Sequence, residues 1–456
     1  MTEQLVVVGN GMAGVACVEQ ILKQSHEFEI TIFGDEPHAN YNRILLSLVL
    51  AGEKAPEEIV INDLNWYQKN NIRTRLGVRV ASIDRENKLV IDQDGGITPY
   101  DRLILATGSS AFVPPIPGVD KKHVHVFRTL DDTRALMEKA RPGLKAAVIG
   151  GGLLGLEAAR GLQMRGCDVT VIHLMDTLMD RQLDATGGAY LKRKIESLGI
   201  RVMLPQQTAA LLGNGRVDKL KFANGEEIEA ELVVVAAGIR PNADLGRATG
   251  LEVGRGIVVN DYMETSDSNI YAVGECTEHR GQTFGLVAPL FEQGRVLAST
   301  ITGRRDVVFG GAAPAAKLKI MGVDIFSGGS TEEGPGIETV RYEDPSLGVY
   351  KKLFIQDNVL RGMILVGDVE DEHTYMEWMK SGTDLTPHRR QILFPPRDAD
   401  PGLAVADMPD SETICGCNGV CKGAIAQAIT AKGSLDKTII TAPISGIVTM
   451  PAASTV

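Results

Sequence analysis

The sequence has no run of about eighteen uncharged apolar residues, so no membrane-spanning helix is expected. It has no basic leader with a cleavage site, because Met1 leads straight into the strand-like run Leu5–Val8. It has no excess of positive charge. The net charge is −11, which argues against a nucleic-acid surface. A soluble, cytoplasmic protein with neither a nucleic-acid nor a membrane partner is the expectation. Aromatic residues are sparse at 5 % while apolar residues make 44 %, so the cores are built mainly from Val, Ile, Leu and Ala. Cysteine is scarce too. Cys17, Cys167 and Cys276 are scattered singly, which reads as small buried hydrophobes. The other three, Cys415, Cys417 and Cys421, crowd into seven residues. That is metal or redox spacing, not the framework of a secreted disulfide protein.

What is present is length and repetition. The 456 residues suffice for about three domains at roughly 150 residues each. The opening reads strand, Gly-rich turn, helix, strand: LVVVGNGMAGVACVEQILKQ, then FEITIFGDE. The same grammar returns at Lys145 as KAAVIGGGLLGLEAARGLQMRG, then CDVTVIHL. Between the copies lie a hairpin-like segment, KLVIDQDGGITPYDRLILATGS, and a Pro-rich crossover, FVPPIPG. Asn224-Gly225 signals a tight hairpin. Beyond the small residues Gly310–Ala316, KLKIMGVDIFSGG and GVYKKLFIQDNVLRGMILVGD alternate like antiparallel strands. FPPRDADPGLAVADMPDS reads as a linker. The expected fold class is α/β, with two doubly wound dinucleotide-binding units, the second inserted into the first. The expected segments are 1–112 and 243–310 for the first unit, 113–242 for the second, and 311–395 for a small α/β C-terminal domain. A linker at 396–410 and a cysteine-bearing module at 411–456 complete the chain.

The first glycine motif is Gly9-Asn10-Gly11-Met12-Ala13-Gly14. Its first glycine permits the tight turn, its second lets backbone approach a pyrophosphate, and its third lets helix pack on strand. The phosphate then meets the positive end of the helix. Asp35 follows Gly14 by twenty-one positions, where an acid can bind ribose hydroxyls; a solvated turn aspartate is the alternative. The second motif is Gly150-Gly151-Gly152-Leu153-Leu154-Gly155, with Glu157 close behind. Two such sites in one chain point to hydride transfer between a nicotinamide and a flavin. Where a second-site acid is expected, eighteen residues past Gly155, stands His173. It neither binds a 2′-hydroxyl as strongly nor repels a 2′-phosphate, and Arg181 nearby can hold such a phosphate. NADH and NADPH stay nearly open, with a slight lean to NADPH; His173 as a plain loop residue is the alternative. Strands ending at Ala106-Thr107-Gly108, at Gly238 and at Gly274-Glu275 place small residues where backbone can approach a cofactor, or are ordinary strand ends.

The segments VVVGNGMAG, GDEPHANYNRILLS, LILATGS, GGGLLGLEAA, LMDRQLD, IYAVGEC, FGLVAP and ICGCNGVCKG together resemble the two-dinucleotide-domain flavoproteins. That family includes glutathione reductase, ferredoxin and rubredoxin reductases, and apoptosis-inducing factor. Within it, the chain is most similar to the N-terminal part of the large subunit of NAD(P)H-dependent assimilatory nitrite reductase, from Gln4 to about Gly433. The resemblance implies FAD at the first site and NAD(P)H at the second. For FAD it implies Gly9, Gly11, Met12, Ala13, Gly14, Asp35, Arg43, Val80, Ala106, Thr107, Gly108, Gly274, Glu275, Leu286 and Pro289. Asp35 and Arg43 would hold the adenosine and pyrophosphate, Glu275 the ribityl chain, and Leu286–Pro289 the isoalloxazine edge. For NAD(P)H it implies Gly150, Gly152, Leu153, Leu154, Gly155, Glu157, His173, Arg181 and Gly238. Leu48 stands where relatives carry a lysine, which removes one flavin contact. No side-chain acid or base is assigned to the hydride step.

Two departures shape the functional expectation. No cysteine pair follows the first glycine turn, where disulfide reductases of this fold keep their dithiol. Electrons must therefore leave for another acceptor. Cys415-Gly416-Cys417 resembles the start of a small [2Fe–2S] module, but the later C-x-x-C pair is absent. Cys421 supplies a third thiol, so a cluster needs a fourth ligand from elsewhere; exposed, oxidisable thiols are the alternative. The sirohaem and [4Fe–4S] half of the nitrite reductase subunit is not in this sequence, so nitrite reduction is expected only with a partner that carries it. The first expectation is the electron-entry module of an assimilatory nitrite reductase system. The rivals are a free-standing NAD(P)H:ferredoxin or rubredoxin reductase and a non-catalytic FAD-binding remnant. A homodimer is left open.

Overall fold

The computed structural model describes residues 2–311 and 315–395, and beyond them only 409–410, 413–415, 420–423, 425–427, 440–441 and 447–448. Two five-stranded parallel sheets dominate it. In the first, the strand order is Ile270–Ala272, Arg102–Leu105, Glu3–Val8, Phe28–Gly34, Arg73–Leu76. In the second it is Val124–Val126, Leu232–Val235, Lys145–Ile149, Asp168–Ile172, Arg201–Met203. The central strand of each leads into a glycine turn and a helix, Met12–Leu22 or Leu153–Met164. These strands are near-continuous apolar runs because both faces of the sheet are covered: in the second sheet Val148 and Val234 pack under helix residues Leu156 and Ala159, while Ala147 and Val233 pack under Leu211, Leu220 and Phe222 of an antiparallel side sheet. Leu5, Val7, Ile32 and Ile104 are fully buried in one sheet, and Val148, Val171, Val233 and Val234 in the other. Each contributes about 1.5–3 kcal/mol of transfer free energy.

The strand Ile270–Ala272 pairs with Arg102–Leu105 although every strand of the second sheet lies between them in sequence. The second unit is thus threaded into the first. Helix Val287–Ile301 then lies against Met12–Leu22, so closely that a Cβ on Gly294 would come within 3.3 Å of the Cys17 backbone nitrogen. Cys17, Cys167 and Cys276 are free and buried, as small hydrophobes in these cores are expected to be. Each unit carries a three-stranded antiparallel side sheet, Val80–Asp84 with Leu89–Asp92 and Ile97–Pro99, and Thr208–Leu212 with Lys219–Phe222 and Glu227–Glu229. Asn224 and Gly225 form the expected tight turn within the latter, with Gly225 at φ 88.

The third element is a five-stranded antiparallel sheet ordered Ala315–Ile320, Val323–Gly329, Val359–Val366, Val349–Gln356, Glu338–Asp344, with helix Glu372–Ser381 packed on it. It docks on the second unit. Asp184, which caps helix Ala185–Ser197 by accepting the Gly187 N–H at 2.9 Å, also accepts the Tyr350 hydroxyl at 2.6 Å and the Lys352 ammonium at 2.9 Å. Tyr190 stacks on Tyr350 across the same junction. Among the described residues no helix is long and apolar enough to cross a membrane.

Candidate cofactor site

Both glycine turns have the same geometry. Gly9 lies at φ 124, and a Cβ there would stand 2.0 Å from the Ala106 carbonyl oxygen. Gly150 lies at φ 130, with the Ala236 carbonyl oxygen 2.2 Å from its Cβ position. The neighbouring strand passes so close that only glycine fits. The middle glycines differ. A Cβ on Gly11 or Gly152 would meet nothing within 4 Å, although each opens a helix and has ordinary backbone angles. No side chain caps either helix. At both turns the helix-start N–H groups, without partners among the described residues, therefore face space that a Cβ would not fill, which fits a pyrophosphate. Gly14 and Gly155 pack against Gly9 and Gly150, with their Cβ positions 2.7 and 2.1 Å from the respective carbonyl oxygens. Met12, Ala13, Leu153 and Leu154 occupy the half-buried first turns of the two helices. On the far side of the first turn, Gly274 brings its backbone against Ala13, with 2.9 Å between its Cβ position and the Ala13 Cβ.

The exits of the two sheets are stitched together. Ser109–Ala111, just past Gly108, pairs antiparallel with Ile239–Pro241, just past Gly238. Phe112 donates its N–H to Gly238 at 2.8 Å, and Asn242 donates its own to Gly108 at 2.9 Å. The Thr107 hydroxyl donates to the Asn242 carbonyl at 2.6 Å, and the Asn242 amide returns a bond to the Thr107 carbonyl at 2.8 Å. Gln293, fully buried on helix Val287–Ile301, accepts the Gly274 N–H at 2.9 Å and so fixes the turn that carries Glu275. Leu286, 36 % exposed, and the half-buried Pro289 stand at the start of that helix.

A cluster of charge bridges the two units at this seam. Arg128 pairs with Glu275 and donates to the Ser109 hydroxyl at 2.9 Å, and that hydroxyl donates to Glu275 at 2.8 Å. Arg128 is placed by a capping box. Thr129 and Asp132 satisfy each other's N–H groups at the start of helix Leu130–Lys139, and Asp132 also accepts the Arg128 N–H at 3.0 Å. Arg43 donates to the Arg128 carbonyl at 3.2 Å and pairs with Glu36, which also accepts the Tyr41 hydroxyl at 2.7 Å. Burial above all pushes the Tyr41 phenol well above its usual range. Asn10 is braced by Tyr67 and Asn40 beside the first turn.

The expected residues therefore separate. Gly9, Gly11, Gly14, Ala106, Thr107, Gly108, Gly274 and Glu275 converge at the carboxyl ends of the first sheet, and Gly150, Gly152, Gly155 and Gly238 at those of the second. Val80 is buried at the start of the first side sheet. Asp35 is exposed and engages no partner among the described residues; Glu36, one residue on, holds Arg43 and Tyr41. Glu157 is half-buried on helix Leu153–Met164, and desolvation lifts its carboxyl pKa to about 7. His173 bonds the glycine turn and Asp180, while Arg181 is exposed. Arg128, Asn242, Gln293 and Glu36 escaped the sequence reading. Only the Thr129–Asp132 capping pattern next to Arg128 offered a signal. Among the described residues no group of three His, Cys, Asp or Glu side chains is placed to hold a metal. Cys415 and Cys421 lie in the paired strands Thr413–Cys415 and Val420–Cys421, their side chains outside the description, and Cys417 lies outside the described residues.

Residues 3–294 match the model of the pyridine nucleotide-disulphide oxidoreductase family. The chain belongs to that family. As such it is an NAD(P)H-dependent FAD oxidoreductase module. Residues 314–383 match the rubredoxin NAD+ reductase C-terminal domain, which accounts for the antiparallel sheet. The chain is 48 % identical to nitrite reductase [NAD(P)H] of Bacillus subtilis over 94 % of its own length and 54 % of that protein's. It is 46 % identical to the assimilatory nitrate reductase electron transfer subunit of the same organism, over 94 % of this chain and 55 % of that one. The chain thus spans about half the length of these relatives. Among solved structures, NADH:rubredoxin oxidoreductase from Clostridium acetobutylicum superposes with a TM-score of 0.73 at 29 % identity, covering 85 % of this chain and 97 % of that one. The family's disulfide chemistry has no local counterpart here. Cys17 is solitary and buried, and burial pushes its thiol far above the usual range.

Proposed function

We propose that this flavoprotein is the electron-entry module of an assimilatory nitrite reductase system. It takes hydride from NAD(P)H and passes electrons to an iron–sulfur or sirohaem centre carried outside this sequence. The observation that carries this reading is the stitched seam. Gly108 and Gly238, each at the exit of one parallel sheet, are hydrogen-bonded to each other's flanks, so the two cofactor cradles open toward one place. FAD, when bound, supplies the two-electron to one-electron conversion. The chain's own residues supply placement. The free N–H donors at Gly11 and Gly152 hold pyrophosphates, and Arg128, Glu275 and Arg43 line the flavin side. Leu286 and Pro289 shield the meeting point from water. The segment limits 1–112, 113–242, 243–310 and 311–395 belong to the same reading.

The likeness to nitrite reductase over nearly the whole chain supports this acceptor class. A free-standing rubredoxin or ferredoxin reductase is the second reading, supported by the match at 314–383 and by the near-complete coverage of the Clostridium enzyme. The test is spectroscopic. The purified protein is expected to be yellow and to bleach under anaerobic conditions with NADH or NADPH. A sirohaem partner, a ferredoxin and a rubredoxin are then offered in turn, and the one that restores the flavin absorbance identifies the acceptor. A colourless protein that cannot be reconstituted with FAD refutes both readings.

A further inference from the structure

The strand Asp168–Ile172 ends at His173, the corner where a dinucleotide site meets the adenosine ribose. We propose that Asp180, held in place by His173, reads the 2′ position of the nicotinamide nucleotide and makes the site selective for NADH over NADPH. This deepens the functional reading above and rests on the second glycine turn as the nicotinamide-nucleotide cradle.

The geometry fixes the histidine. Gly151 donates its N–H to His173 Nδ1 at 3.1 Å, so Nδ1 is the acceptor of the ring. The ring proton then sits on Nε2, which donates to Asp180 Oδ1 at 3.1 Å. The loop between them is folded back on the same glycine turn. Met179, buried and at φ 54, donates its N–H to the Gly151 carbonyl at 3.0 Å. A left-handed conformation is uncommon for such a side chain, and strain of this kind collects at functional sites. Gly151 leaves no room for adjustment, because a Cβ there would lie 2.6 Å from Leu178 and 2.8 Å from the His173 ring. One residue of the nucleotide turn, Gly151, thus grips both the histidine, through its N–H, and the loop that bears the acid, through its carbonyl.

The chemistry follows from that grip. His173 has one donor, and Asp180 takes it, so the ring offers no free N–H to a phosphate. Asp180 keeps a side-chain exposure of 34 % against 13 % for His173. Its carboxylate remains open to accept a ribose hydroxyl, and it repels a 2′-phosphate. The acid that the strand end lacks is supplied from seven residues downstream. Arg181 is the competing candidate. It is exposed and makes no hydrogen bond or ion pair among the described residues.

The test uses the flavin-loaded protein. Anaerobic flavin bleaching is followed by stopped flow with NADH and with NADPH, and binding of ADP-ribose and of its 2′-phosphate is measured by calorimetry. The wild type is expected to prefer NADH and ADP-ribose. Asp180→Asn is expected to narrow both preferences about tenfold, as loss of one like charge near the phosphate implies. His173→Ala narrows them as well, because the acid loses its holder, while Asp180→Glu restores them. A wild type that favours NADPH, or ratios unmoved by Asp180→Asn, overturns the proposal. So does a loss of NADPH use in Arg181→Gln that exceeds the change in Asp180→Asn. If neither nucleotide bleaches the flavin but ADP-ribose still binds more tightly than its 2′-phosphate, the hydride reading falls and the selectivity proposal stands. If neither analogue binds, both fall.

Discussion

Replacing Glu157 with glutamine probes the burial of an acid on helix Leu153–Met164. The carboxyl is half-buried and, among the described residues, no cation is paired to it. Desolvation raises its pKa from 4.5 to about 7. The folded protein therefore binds a proton that the unfolded chain has already released between those values. Stability falls as pH rises through that window, and the full penalty is present above the folded value. A rise of that size corresponds to about 3 kcal/mol, which we discount to about 2 kcal/mol because the side chain keeps some contact with solvent. Glutamine has nearly the same shape and never ionises. Glu157→Gln is therefore expected to melt higher than the wild type by about 4–8 °C near pH 8.5, a gain shrinking steadily toward pH 5. Differential scanning fluorimetry across that range checks it, with flavin saturating in every sample. A melting difference that stays constant with pH would refute the reasoning, because it would mean that Glu157 titrates normally in the fold.

The two turn glycines should respond in opposite ways. Gly9→Ala drives a methyl into the Ala106 carbonyl and is expected to yield little folded protein, whereas Gly11→Ala leaves the circular dichroism and melting of the flavin-free protein intact but weakens FAD binding at least about tenfold. Equal loss of fold in both variants would remove the cradle argument. Arg128→Gln breaks the tie to Glu275 and Ser109, and flavin release on dialysis should accelerate about 10–100-fold; unchanged retention would place Arg128 outside the flavin site. Asp184→Ala removes a helix cap and two cross-junction bonds, at a cost of about 2 kcal/mol by thermal melting. Although burial works against it, bonds from Tyr350, Gly187 and Lys352 hold the Asp184 carboxyl below its usual value. Its contribution is thus present above about pH 4 and lost as pH falls further, so the variant and the wild type should converge in acid.

The glycine turns were legible in the sequence because their requirement is local. A strand, a backbone angle that only glycine tolerates and a helix start all lie within a dozen residues, and Gly9 and Gly150 show the close approach that the spacing implies. The parallel strands were legible as apolar runs for a similar reason, since burial on both faces leaves no polar alternation. The partners of the site were not. Arg128 meets Glu275, Thr107 meets Asn242, and Gly274 meets Gln293, each through a contact that the fold creates and no local period announces. Asp35 stands exposed past the strand end, where the spacing put it, while Glu36 next to it takes the half-buried Arg43 through a contact no spacing announces. His173 looked like a missing acid. Its hydrogen bonds reach the Gly151 N–H and Asp180 in the following loop, contacts that no spacing in the sequence announces.

The threading of one unit through the other has a consequence during synthesis. Helix Met12–Leu22 meets its helical partner, Gly294 against Cys17, only once Val287–Ile301 has left the ribosome. All five strands of the second sheet emerge before the edge strand Ile270–Ala272 of the first. The unit translated first is therefore completed only after the unit inserted into it. It waits half-built, with sticky surface open to wrong partners, while its guest closes, and a nascent chain paused in that interval is where chaperone dependence should concentrate.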